Sequence, residues 1–148
     1  MKLNCKHILN APPERIWTIL MDTQSLARVV PGISSLEKIS DNSYKSTLNI
    51  GVGPVSGSFN GHIQLDNIVE EKSFTLKAKQ ESKIGNANAA ISIRLVPAED
   101  SQTAIDFDGD VQLSGLMASM GQRIIGGVSG TLTKQFFQNL EKELETNR

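Results

Sequence analysis

The C-terminal stretch from Ser114 to Arg148 constrains the fold more than any other. Ile124, Val128, Leu132, Phe136, Leu140 and Leu144 recur every fourth residue, and Met117, Ile125 and Phe137 broaden the stripe. This spacing predicts one amphipathic helix of roughly seven turns, and a helix so apolar on one side needs a large surface to lie on. A strict four-residue repeat also advances about 40° around the helix at each step, so the stripe drifts as it must against a twisted sheet.

The upstream segments supply that sheet. Lys2 to Asn10 alternates, with Leu3, Cys5, His7 and Leu9 on one side, and reads as a strand. Asn10-Ala11-Pro12-Pro13-Glu14 offers a capping side chain, prolines suited to a first helical turn and an acid for the positive end of the helix dipole. A short helix buried through Ile16, Trp17, Ile19 and Leu20 follows. Asp22 or Thr23 can cap a second, which Pro31-Gly32 ends.

From Ile33 to Leu113 the chain reads as six strands joined by short turns, none long enough to return a parallel strand. The expected inner rows run through Tyr44, Ser46, Leu48, Ile50 and Val52, then Phe59, Ile63, Leu65 and Val69, then Phe74, Leu76, Ala78, Gln80, Ser82 and Ile84. The last two rows hold Ala87, Ala89, Ile91, Ile93 and Leu95, and Ile105, Phe107, Val111 and Leu113. The small alanines leave room under the helix. The fold class is therefore α+β: a curved antiparallel seven-stranded sheet wrapped around a long C-terminal helix, with two short helices after the first strand, in one domain spanning residues 1–148.

Composition removes several function classes. Fifteen basic against sixteen acidic residues leave no basic surplus for phosphates, and one Trp, one Tyr and five Phe are too scattered for base stacking, so nucleic acid is not an expected partner. No window approaches the eighteen or so apolar residues of a membrane span, and no integral membrane segment is expected. The single cysteine, Cys5, has no partner within the chain, which points to a reducing cytoplasm. No Ser/His/carboxylate set, phosphate loop or metal-ligand cluster is spaced for its chemistry, so no catalytic residue, metal or other cofactor is expected.

Particular segments carry a resemblance. Ala11-Pro12-Pro13-Glu14-Arg15-Ile16-Trp17, Val30-Pro31-Gly32-Ile33-Ser34-Ser35-Leu36-Glu37, Gly51-Val52-Gly53-Pro54-Val55 and Gln135-Phe136-Phe137 resemble, in order, the carbon monoxide dehydrogenase G-subunit family. That family belongs to the START-like, helix-grip superfamily. The resemblance implies a cytoplasmic accessory protein of a carbon monoxide dehydrogenase-like molybdenum hydroxylase, without a catalytic centre of its own. It also implies a hydrophobic molecule, lipid or quinone-like, held between sheet and helix.

The residues expected to line such a pocket are His7, Tyr44, Ser46, Leu48, Phe59, Ile63, Gln80, Ser82, Ala89, Ile91, Phe107, Met117, Ile124 and Val128. Gln80 and Ser82 are the sharpest polar clues, because a buried amide or hydroxyl must find a partner. Two other readings use the same residues: a small cyclase or dehydratase working through His7, Tyr44 or Gln80, and a structural interaction module with a filled core. Gly121, Gly126, Gly127 and Gly130 soften the first half of the long helix, Gly121 on its inner side and the other three near its back. They are read as a mobile gate, with a partner-helix contact and a later helix start as the alternatives.

Overall fold

The structure, a computed structural model, describes residues 1–146. Strand β1 (Lys2–Leu9) leads into helices α1 (Pro13–Met21) and α2 (Thr23–Val29). Strands β2 (Ile33–Ser40), β3 (Ser43–Val52), β4 (Val55–Val69), β5 (Ser73–Ser82), β6 (Gly85–Pro97) and β7 (Thr103–Leu113) form a meander, and helix α3 (Gln122–Thr146) ends the described chain. The single antiparallel sheet has the order β1-β7-β6-β5-β4-β3-β2, so β1 closes onto the last strand and is itself an edge.

Several expected details shift. Asn10 does not cap α1; Pro12 stands at that position without a side-chain bond, and fixed proline geometry starts the helix instead. Val69 turns out to solvent, because a register shift between Asp66 and Val69, with Asn67 at φ 53°, reverses the alternation there. The long helix starts at Gln122 rather than Ser114: a 3-10 turn over Gly115–Ser119 and a left-handed Gly121, φ 85°, precede it. Met117 is thus buried from the turn, not from the helix. At the other end, Asn147 and Arg148 lie outside the described residues.

Asp22 caps α2. Its carboxylate accepts the Ser25 backbone N–H at 3.0 Å and the Ser25 hydroxyl at 2.8 Å, and these bonds, the backbone one foremost, hold its pKa below the ordinary carboxylate value. A depressed folded pKa makes the contribution complete above the ordinary carboxylate range and lost as pH falls below that range and through the lowered folded value. Asp22→Ala should lower stability by about 1 kcal/mol near neutral pH and remove this part of the acid sensitivity, as read by urea titrations at several pH values.

The α1–α2 pair grips the C-terminal half of α3. Arg28 donates from Nε and Nη2 to Glu143 Oε1 at 2.9 and 2.6 Å, Asn139 Nδ2 donates to the Val29 carbonyl at 3.1 Å, and Arg15 Nη2 donates to the Leu144 carbonyl at 2.6 Å. Leu140, Leu144 and Phe137 are buried here with Ile16, Leu20, Val29 and Ile105 in the main core. A second apolar cluster, around Val55, Phe59, Met117 and Ile125, sits under the other half of the helix. Over that half, Gln122 to Gly130, Ile125 alone is buried. The helix is fastened at one end and lightly seated at the other.

Candidate functional site

On the inner face of β1, Leu3, Cys5 and His7 look toward α3, as the alternation requires. The side of α3 that meets them runs through Gly126, Gly130, Thr133, Phe137 and Glu141, one step around from the sheet-facing side marked by Ile125 and Leu140. Side chains along this line grow from nothing at the two glycines to full size at Phe137 and Glu141. The result is a groove of about 1030 Å³ between the edge strand and the helix, lined by glycine over one part of the helix and by larger side chains over the other. Gly126 and Gly130 therefore face this groove, not the back of the helix, and they enlarge it.

Toward Phe137 and Glu141 it is lined by rings and one polar pair. His7 stacks on Phe137 with centroids 4.4 Å apart, Phe137 stacks on Phe107 at 5.2 Å, and Phe136 meets both phenylalanines edge-on. His7 Nε2 lies 2.9 Å from Glu141 Oε1, a bond that ties β1 to α3. The lining is otherwise mixed: Leu3, Cys5 and Phe137 offer apolar surface, while Ser129, Thr133 and Gln138 offer hydroxyl and amide groups.

Inward from β1, the sheet face beneath α3 carries small side chains. Ala87 pairs with Leu113 and Ala89 with Val111 on one side, and with Gln80 and Ala78 on the other. Ala78, Ala87 and Ala89 all sit on the face beneath α3, yet each keeps partial exposure. Ala78 packs against the main core and Ala87 against the second cluster, and their methyl groups, like that of Ala89, keep part of their surface uncovered.

The expected site residues divide among several places. His7 lines the groove. Leu48, Phe59, Met117 and Val128 meet in the second cluster. Tyr44, Ile63, Phe107 and, partly buried, Ile91 belong to the main core. Ser46 and Gln80 are buried and hydrogen-bonded to each other, with Nε2 donating to Oγ at 2.9 Å. Ser82 serves the β5–β6 turn, donating to the Gly85 carbonyl at 2.7 Å and accepting from the Ile84 N–H at 3.3 Å; it also edges a polar notch of about 770 Å³ where β4 leaves β5. Ile124 is a correction. It is 44 % exposed, because Ile125 and not Ile124 faces the sheet once the helix begins at Gln122.

Sequence reasoning left Ser129, Thr133, Phe137, Gln138 and Glu141 out of the site. The signal was the four-residue repeat of small residues from Gly126 to Gly130, continued by Thr133 and Phe137, which marks a second helix face beside the apolar stripe. Among the described residues, no three His, Cys, Asp or Glu side chains come together as a metal site, and no helix is long and apolar enough to cross a membrane.

The model of the CoxG family, described as the G subunit of carbon monoxide dehydrogenase, matches residues 6–145. The chain belongs to this family. Among solved structures, a conserved protein from Geobacillus kaustophilus is 31% identical, with a TM-score of 0.95 over 99% of this chain and 96% of that one. A START superfamily protein from Mycobacterium smegmatis shares the fold at 13% identity, with a TM-score of 0.78 over 99% of both chains. No curated protein matches the chain. Within the CoxG family, then, this member has a START-like fold whose β1–α3 edge is open.

Proposed function

We propose that this protein binds an elongated hydrophobic small molecule, lipid or quinone-like, between the sheet and α3, and that it acts in the cytoplasm as a non-enzymatic accessory of a carbon monoxide dehydrogenase-like molybdenum hydroxylase. The binding part rests on one observation: the inner-face alanines stay partly exposed beneath the helix, beside a groove of about 1030 Å³. Apolar surface left partly open is what a hydrophobic ligand removes from water, at about 25 cal/mol per Å² buried before the costs of association. The enzyme partnership rests on family membership. His7, engaged by Glu141, together with hydroxyl and amide groups, makes a lining suited to holding a molecule rather than transforming it.

The two groove glycines give a test that separates binding from folding. A Cβ added at Gly126 or Gly130 meets no other atom within 4 Å, so larger side chains fit without strain and project into the groove. Gly126→Leu/Gly130→Leu should raise helix stability by up to about 1 kcal/mol per site, since glycine is the poorer helix former. It should also weaken binding of a hydrophobic fluorophore such as 8-anilinonaphthalene-1-sulfonate at least tenfold. Unchanged fluorophore affinity in a stable double variant would contradict the site.

A further inference from the structure

The row of paired residues Leu113, Ala87, Gln80, Gly61 and Ser46 crosses the inner face from β7 to β3. On the sequence pattern each member should be apolar, yet its centre is an amide reaching over a glycine to a hydroxyl. Gly61 has no side chain in the way, so Gln80 spans it to meet Ser46 two strands distant.

That amide turns its Nε2 toward two acceptors, Ser46 Oγ and a backbone carbonyl. Its second contact, at 3.5 Å, is the His62 backbone carbonyl, which can only accept, so the atom facing it is Nε2. Oε1 is then left without a partner, although Gln80 is only 6 % exposed. A buried acceptor in this state is costly and calls for a donor. Ser46, 2 % exposed, accepts from Gln80 Nε2 and has its own hydroxyl proton still to give. An unpaired acceptor and a hydroxyl with a proton still to give thus lie in one buried row, with the β6 alanines between them and the β1 edge.

We propose that the molecule held between sheet and helix carries a hydroxyl group on its apolar body, an alcohol or a phenol, which donates to Gln80 Oε1 and accepts from Ser46 Oγ. A carbonyl or ether oxygen would satisfy Ser46 and leave Gln80 unpaired, and a hydrocarbon would leave both. Gln80 on β5 stands about three strand spacings, roughly 14 Å, from the β1 edge, so the hydroxyl would lie deep and the apolar remainder would extend over the β6 alanines toward the groove. This deepens the proposed binding function and rests on it.

The test titrates the full chain with 4-nonylphenol and with nonylbenzene, each by displacement of the same fluorophore, in the wild type and in Gln80→Leu. The expected result is a preference for the phenol that falls about tenfold in the variant, while nonylbenzene binds the variant at least as well as the wild type. Ser46→Ala and Gln80→Met give the same readout should Gln80→Leu fold poorly. An equal preference in wild type and variant, or fluorophore binding that neither compound displaces, would overturn the hydroxyl assignment and leave hydrophobic binding standing. Failure of fluorophore and both compounds to bind at all would overturn both.

Discussion

Gly61→Ala should be among the most damaging single methyl additions in the protein. A Cβ at this position would lie 1.7 Å from the Lys79 carbonyl oxygen and 2.8 Å from its carbon, both backbone atoms of the paired strand, which cannot rotate away. The β4–β5 ladder would have to part where Gln80 crosses to Ser46. Overpacking relieved only by moving backbone costs about 3 kcal/mol or more, a large fraction of a domain's net stability. Urea unfolding should show the loss directly, and a midpoint within error of the wild type would mean that the strands do not approach as closely as described.

Leu140→Ala should be nearly as severe, for the opposite reason. Leu140 is fully buried where α3 meets α1, α2 and the main core, and truncation leaves a cavity that the surrounding helices cannot collapse into, costing about 2–5 kcal/mol. Leu132, on the same helix but only partly buried, should cost no more than about 1 kcal/mol on truncation. The contrast between the two variants measures how much of the helix's hold on the core falls at Leu140. Native-state amide exchange should report the same gradient, with residues 122–130 exchanging faster than residues 132–144. Equal protection across the helix would contradict a lightly seated first half.

Most of the architecture was legible because its signals are local. Alternation set the strands, Asp22 and Pro31-Gly32 bounded the second short helix, and the four-residue stripe announced α3. Errors arose where a single backbone irregularity reverses a pattern: the bulge near Asn67 turned Val69 outward, and the left-handed Gly121 moved the helix start so that Ile125 replaced Ile124 against the sheet. The site was less legible than the fold. Inward-facing residues could be read from alternation, but not which of them would be filled over by the core. Tyr44 and Ile63 were taken into the main core, whereas Ala89 stayed partly open. Nor could the closing of β1 onto β7 be read from the strands singly, and that pairing makes β1 the edge that faces Gly126 and Gly130 across the groove.

Gln80 shows what sequence pattern can and cannot supply. Its inward position and unusual polarity followed from its place in β5, but the partner on β3 and the unpaired oxygen depend on a row of residues drawn from separate strands. Register across a sheet is a property of the whole meander, fixed by its turns and bulges together.

The most direct measurement is native mass spectrometry of the protein purified gently from its host, set beside an organic extract of the same sample. A stoichiometric adduct is expected, released into the extract as a hydrophobic molecule. A mass equal to that of the chain alone, with no hydrophobic compound binding in subsequent titrations, would contradict the binding function and favour a protein whose sheet and helix serve only to meet a partner.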